Sequence, residues 1–158
     1  MLPAIGIWSP RTRCTATHGH RHVRQLSGHS VAMPLRTQKT WFGVVLDAPD
    51  ARELAHFYQR LLGWKIFNES DGWADLAPSD AAGYNFSFAT ERHYVRPVWP
   101  TVNGEPQMSL HLDIEVDDLD EAVAYALEVG AEQAEYQPQE TVRVMFDPAG
   151  HPFCLYTD

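Results

Sequence analysis

The sequence has few cysteines and no long apolar runs, the features that mark disulfide-rich and membrane-spanning proteins. Its 158 residues include two cysteines, Cys14 and Cys154, which are too few for a disulfide framework. Its longest apolar runs, such as residues 41–46, reach about a third of the roughly 20 residues that a membrane-spanning helix needs. We therefore expect one globular domain in a reducing, cytoplasmic location, with no membrane partner.

Acidic residues are absent from the first 46 positions, although six of the 12 lysines and arginines lie there. Residues 47–158 therefore carry six basic and 21 acidic side chains, a net charge of −15, against −9 for the whole chain. Because nucleic-acid affinity depends largely on cations that neutralise phosphates, we expect no nucleic-acid partner.

Residues 1–38 lack a hydrophobic period and are predicted to form a flexible basic tail before a domain over residues 39–158. Three interpretations of the tail stay open: an organelle-targeting leader, an extension upstream of a true start at Met33, and a genuine flexible arm. The tail also holds metal-ligand residue types, but without the paired spacing of a metal site. These residues are Cys14, His18, His20, His22 and His29.

From Trp41 the pattern becomes one of alternating strands and a helix. The apolar run at residues 41–46 predicts a strand. Asp50 is typical of a helix N-cap and Gly63 of a helix end, with apolar residues between them at helical spacing. Three shorter strands are predicted at about residues 64–68, 73–77 and 85–89. The first half thus predicts the order βαβββ.

The second half predicts the same order. Residues 109–116 alternate between an apolar face and a polar face, as in a half-buried strand. Asp118 predicts the start of a second helix and Gly130 its end. Its inner stripe is predicted to be Leu119, Ala122, Val123, Ala126 and Leu127. Three strands at about 132–137, 142–146 and 152–157 complete the half, and the linker at 90–107 is predicted to be irregular.

Internal alignment indicates that the two halves are copies of one unit. The segment at residues 80–88 matches that at 147–155 with an offset of 67 residues, and the two helix caps differ by 68. A fixed offset is evidence for duplication. Each half, at about 55 residues, is marginal alone. We therefore expect an α+β fold of two tandem βαβββ modules with a shared core and a cleft between them.

Three motifs mark the repeated units: LDAPD at 46–50, HLDIEVDD at 111–118 and DPAGHPF at 147–153. Over about residues 40–158 they resemble the vicinal oxygen chelate superfamily, and more narrowly its glyoxalase-like branch. That superfamily includes lyases, epimerases, ring-cleaving dioxygenases and bleomycin-sequestering proteins. The resemblance implies the fold and a homodimer. It does not indicate which activity the chain has, because function depends on the site rather than on the fold.

The resemblance also implies a divalent metal whose ligands lie on the first and last strands of each half. Only His111 suits a hard cation among the corresponding positions. Asp113 and Glu115 share its strand face, which leaves His111 and Glu115 as metal candidates in a rearranged site. We expect no cofactor and an incomplete metal set. The four inherited positions are Gly43, Ser87, His111 and Cys154.

Two residues are candidates for catalysis. His111 is a candidate general base because imidazole changes protonation near neutral pH. Cys154 is a candidate nucleophile if a neighbouring cation stabilises its thiolate. The alternatives are a structural histidine and a small buried apolar residue. The predicted ligand-binding residues are Ser87, His111, Cys154, Trp73, Trp99 and Tyr94, although aromatic residues in a fold of this size also serve the core or a dimer interface.

These observations support the hypothesis of a glyoxalase-like protein that binds a small aromatic or carbonyl-bearing molecule in the cleft, without the complete metal set. The alternative is a divergent metal-dependent lyase, isomerase or dioxygenase. It would use His111 with Cys154, Glu115 or a recruited carboxylate.

Overall fold

The computed structural model describes residues 41–157. The predicted tail, with Cys14 and its histidines, lies outside the described residues, as does the start of the predicted domain. Within them the chain forms two modules of one helix and four strands each. The first contains β1 (Phe42–Ala48), α1 (Ala51–Leu62), β2 (Lys65–Ser70), β3 (Trp73–Ala77) and β4 (Tyr84–Thr90). The second contains β5 (Leu112–Glu115), α2 (Leu119–Glu128), β6 (Glu132–Gln133), β7 (Val142–Phe146) and β8 (Pro152–Tyr156).

Each module has one four-stranded mixed sheet, and the strand order is the same in both. The first sheet runs β1-β4-β3-β2 and the second β5-β8-β7-β6. The first and last strands of each module pair in parallel, and the other pairs are antiparallel. The equivalent Gly83 and Gly150 both adopt left-handed backbone conformations, with φ of 73° and 90°. The predicted α+β fold of two βαβββ modules is confirmed.

The helix ends lie where the sequence predicts them. The Asp50 carboxylate accepts hydrogen bonds from the first free amides of α1, at 2.9 and 3.1 Å. Asp118 does the same for α2, at 2.9 Å to Glu121 N. Gly63, at φ 66°, ends α1 and donates to Gln59 O. Side-chain acceptors satisfy amides that a helix N-terminus otherwise leaves unpaired.

One apolar core is shared by the two modules. Phe57 and Tyr58 of α1 are buried and lie 6.2 and 6.4 Å, ring to ring, from Phe153 of β8. Tyr58 also stacks on Phe88 of its own module at 5.4 Å. The first helix is therefore packed between its own sheet and a strand of the second module, as expected for halves that are marginal alone.

The sheet faces that point away from this core differ between modules. In the second module, Trp99 of the linker packs on Phe146 and on an apolar cluster that includes Cys154. In the first module the corresponding face leaves apolar side chains exposed, which we call the open face of the first sheet. Its exposed members are Trp41, Val45, Phe67 and Trp73.

Three details of the prediction are wrong. The strand predicted at 109–116 begins only at Leu112, and Leu110 is 40% exposed. The strand predicted at 132–137 is two residues long. Leu127, predicted in the inner stripe of α2, is 46% exposed, because at 100° per residue it lies roughly 90° from the centre of that stripe. The linker is irregular as predicted, with one isolated β-bridge between Val98 and Gln107. No helix among residues 41–157 is long and apolar enough to cross a membrane.

Candidate functional site

Three side chains with ligand atoms converge on the second sheet. Asp113 of β5 lies directly opposite Cys154 of β8 in the parallel pair. His111 precedes Asp113 by two residues, which places it on the same side of the strand. One ligand atom from each of the three lies within 4.8 Å of the others. We call this group the His111–Asp113–Cys154 cluster.

Burial sets the protonation state of Cys154. The side chain is fully buried, and burial is the largest of the causes that raise the pKa of its thiol to about 12. The negative charge of Asp113 and a hydrogen bond to it add to the increase. The thiol is therefore neutral at physiological pH, and it donates its proton towards a carboxylate. No lysine or arginine of residues 41–157 contributes to the pKa of this thiol, so the nucleophile hypothesis lacks its main requirement.

The imidazole of His111 has an atom without a partner. Its Nε2 is buried and makes no hydrogen bond to any described residue. The nearest carboxylate oxygen, Oδ1 of Asp113, lies 3.4 Å away, close enough for an ion pair only if the ring is protonated. A buried polar atom without a hydrogen bond is costly. This nitrogen therefore marks a place where a bound molecule would add a donor or an acceptor.

The cluster does not fit the divalent metal that the family resemblance implies. The two equivalent positions of the first module offer no free ligand. Gly43 has no side chain, and the Ser87 hydroxyl donates to Asp75 and accepts from Asn85, both at 2.6 Å. What remains is one nitrogen, one carboxylate and one neutral thiol from a single module. An octahedral site for a hard cation needs more oxygen ligands than these.

The other predicted site residues lie in three separate surroundings. Trp73 and Ser87 both donate to Asp75 on the open face of the first sheet, at 2.8 and 2.6 Å. Trp99 packs between Tyr136 and Phe146. Tyr94 contacts His151 in the turn before β8. The structure therefore brings His111 and Cys154 together in one cluster and Trp73 and Ser87 together at Asp75, and it places Trp99 and Tyr94 elsewhere.

Sequence reasoning missed the importance of two aspartates. Asp113, rather than Glu115, is the carboxylate that joins His111 and Cys154. Its alternation with His111 was visible, but its strand-to-strand register with Cys154 was not. Asp75 organises the polar side chains on the first sheet, and no spacing in the sequence links it to Ser87.

A groove lies beside the cluster, where the two modules meet. It has a volume of about 400 Å³ and is bordered by β1, the start of β4, the end of α1 and β5. Asp113 belongs both to the cluster and to the groove. The remaining lining residues are mostly apolar: Val44, Leu62, Trp64, Tyr84, Asn85, Phe86, Leu112, Ile114 and Glu115. We call this cavity the intermodule groove.

The raised pKa of Cys154 predicts a slow thiol reaction. In a Cys14→Ser variant, alkylation of the folded protein by iodoacetamide should accelerate about tenfold per pH unit and continue to rise above pH 9. At pH 8 a pKa of about 12 leaves about a thousandfold less thiolate than the ordinary value of 9.0. Intact mass against time measures the rate, with urea-unfolded protein as the control. A folded-state rate that levels off near pH 9 would contradict the prediction.

Comparison with known proteins agrees with the fold described above. The glyoxalase-like domain family matches residues 43–156. A glyoxalase family protein from Enterococcus faecalis has 22% sequence identity and a TM-score of 0.54, over 75% of this chain and 97% of its own. A glyoxalase/bleomycin resistance protein/dioxygenase family enzyme from Burkholderia phytofirmans PsJN has 18% identity and a TM-score of 0.54, over 73% and 95%. A glyoxalase-related enzyme from Fulvimarina pelagi has 15% identity and the same TM-score, over 76% and 88%.

At these identities the solved structures support the fold alone, and no curated protein sequence matches this chain significantly. The paired modules with parallel first and last strands define the architecture of the vicinal oxygen chelate class. The family match covers most of the chain, and the chain therefore belongs to the glyoxalase-like domain family.

Proposed function

We propose that this domain binds a small aromatic or carbonyl-bearing molecule in the intermodule groove, without the complete metal site of its superfamily. The observation that carries the proposal is the meeting of an apolar groove with a polar cluster through Asp113. Ligand sites typically combine a mostly apolar lining with a few placed polar groups.

The groove suits a flat, apolar body. The rings of Trp64 and Tyr84 meet edge to face at 5.9 Å, and Leu112 and Ile114 of β5 provide the facing wall. Aromatic side chains favour aromatic ligands through offset and edge-to-face contacts. The volume of about 400 Å³ lies within the range of small-molecule sites.

The polar end suits a group that both donates and accepts hydrogen bonds. The unpartnered Nε2 of His111 would pair with a ligand hydroxyl or carbonyl, according to its tautomer. The carboxylate of Asp113 would accept from a hydroxyl or from an enol. Cys154, as a neutral thiol, contributes shape and a weak donor rather than a nucleophile.

Replacing Tyr84 with alanine should weaken ligand binding about tenfold or more, because it removes one aromatic wall of the groove. A thermal-shift screen over small aromatic aldehydes, ketones and acids first identifies binders, since any ligand of the native state raises apparent stability. Tyr136→Ala is the matched control: the two tyrosines are 44% and 41% exposed, and Tyr136 lies outside the groove. Equal losses in both variants, or no binder in the screen, would count against the proposal.

The second candidate function is a divergent metal-dependent lyase, isomerase or dioxygenase, and the His111–Asp113–Cys154 cluster is the observation that favours it. Three protein ligands are the usual number in catalytic zinc sites. Our first proposal predicts less than one divalent ion per ten chains when the purified protein is dialysed and its metal content measured. One tightly bound ion per chain, lost on His111→Ala, would replace the first proposal with the enzyme.

We also propose that two copies of the chain associate through the open face of the first sheet. Exposed apolar residues gathered on one face typically mark an interaction surface. Light scattering during size-exclusion chromatography should give about twice the chain mass of 17.9 kDa. Val45→Glu should reduce it to one chain mass, and Val102→Glu, at a similarly exposed linker valine, should not. A wild-type mass of one chain would refute the dimer.

A further inference from the structure

A second cavity is lined in part by the linker and shares no residue with the intermodule groove. It has a volume of about 400 Å³ and lies between the end of β1, the residues after β4, the approach to β5 and the turn before β8. Both modules and the linker therefore contribute walls. Its polar lining residues are Asp47, Glu91, His93, Tyr94, Gln107, Ser109 and His151.

A chain of hydrogen bonds ends in this cavity. The buried carboxylate of Asp147 accepts from the His151 backbone amide at 2.9 Å, and its Oδ2 lies 2.8 Å from His151 Nδ1. Tyr58 donates to the same Oδ2 at 3.0 Å. On the other side of the imidazole, Nε2 lies 3.1 Å from the Tyr94 hydroxyl. The carboxylate thus fixes the ring so that Nε2 faces Tyr94 at the cavity wall.

When His151 is neutral, the Tyr94 hydroxyl lies beside two hydrogen-bond acceptors but has only one proton to donate. It lies 3.0 Å from the carbonyl oxygen of Ala149 and 3.1 Å from His151 Nε2. With the Nδ1 proton directed to Asp147, Nε2 is an acceptor, and one phenolic proton serves either it or the carbonyl. A hydroxyl group that entered the cavity would supply the second proton or accept from Tyr94. The pair is therefore prepared for a ligand hydroxyl.

The charges around the cavity favour a cation. Its acidic lining side chains are Asp47 and Glu91, and no lysine or arginine of residues 41–157 lines it. Arg96, the cation that acts on Tyr94, pairs with Glu132 at 3.3 Å. Within residues 41–157 Asp47 makes no ion pair. The electrostatic field of the whole domain is also negative, since residues 47–158 carry a net charge of −15. A negatively charged concave surface concentrates cations over neutral and anionic molecules of the same size.

We propose that this cavity is a second ligand site, which takes a small organic cation bearing a hydroxyl group, of the amino-alcohol class. The ammonium group pairs with the carboxylates of Asp47 and Glu91. The hydroxyl joins the hydrogen-bond chain at Tyr94 and His151. The inference goes beyond the proposed function. A ligand can bind in this cavity whether or not one binds in the intermodule groove, and each site has its own test.

The test titrates the full chain with ethanolamine at constant ionic strength and follows amide chemical shifts by NMR. Ethylamine, which lacks the hydroxyl, and glycolate, which reverses the charge, are the controls. We expect saturable shifts at Tyr94, Ser109 and His151 with ethanolamine, weaker binding of ethylamine by about tenfold, and no saturable shift with glycolate. Equal responses to all three compounds, or no saturable response to ethanolamine, would overturn the proposal.

Two variants separate recognition from folding. Asp47→Asn should weaken ethanolamine binding about tenfold, whereas Asp71→Asn, an exposed carboxylate in the β2–β3 turn outside the cavity, should leave it unchanged. Tyr94→Phe should abolish the preference for ethanolamine over ethylamine. If it also lowers the melting temperature, the preference is still measurable, because both amines are compared in the same folded variant. A preference retained in Tyr94→Phe, or binding unchanged in Asp47→Asn, would refute the assignment.

Discussion

Asp147→Ala is expected to destabilise the domain by about 3–5 kcal/mol, the usual cost of removing one member of a buried charged network. The side chain is fully buried, and its carboxylate accepts from the Tyr58 hydroxyl and from the backbone amide and imidazole of His151. Alanine leaves all three groups without the carboxylate acceptor that they share. Because Tyr58 belongs to α1 and His151 to the second module, the substitution should weaken the packing of the two modules against each other.

Urea unfolding measures the effect as a shift of the midpoint at constant slope. Asp71→Ala is the control, since the Asp71 side chain is fully exposed and its ion pair with Arg52 is 3.9 Å long. We expect that variant to leave the urea midpoint almost unchanged. A similarly small change in Asp147→Ala would show that solvent or a rearranged turn replaces the three hydrogen bonds.

Phe153→Ala is expected to cost about 3–5 kcal/mol as well, for a different reason. Phe153 is fully buried and contacts Phe57 and Tyr58 of the other module. Truncation removes apolar contacts and leaves a cavity between α1 and β8. Because the core is shared, both modules should unfold in one transition, at a lower urea concentration than in the wild type.

The comparison variant is Val102→Ala, because Val102 is 52% exposed in the linker, outside the open face of the first sheet. It should cost less than about 1 kcal/mol. Tryptophan fluorescence reports mainly on the first module and amide exchange on both. Two separate transitions in Phe153→Ala would show that the modules are independent folding units, contrary to a shared core.

Local features of the fold were predictable because they depend on neighbouring residues. Asp50, Asp118 and Gly63 end helices through their own side-chain acceptors or backbone freedom, and the structure has them there. The 67-residue offset identified a repeat that the two sheets confirm. Leu127 was mispredicted because it lies at the edge of its helical stripe, where only the position of the neighbouring sheet decides burial.

The candidate sites were predictable only in part. Residue types and alternation pointed to His111 and Cys154, but the cluster forms because β5 and β8 pair in a register that places Asp113 beside the thiol. Tyr94 and His151 are 57 positions apart, and no spacing in the sequence links them. Contacts over such separations depend on how the modules pack, which no local pattern encodes.

The sequence by itself determined the two βαβββ units, their helix ends and the residue types at the positions where the family resemblance implies metal ligands. The hydrophobic period, the helix-cap residues and the residue types are local properties, so they can be read from the sequence alone. The tertiary structure decided which side chains meet. It buried Cys154 against Asp113, left His111 Nε2 without a hydrogen bond to any of residues 41–157 and ended a hydrogen-bond chain in a cavity. The physical reason is that burial and strand register, which set hydrogen bonding and pKa, exist only once the two modules are packed together.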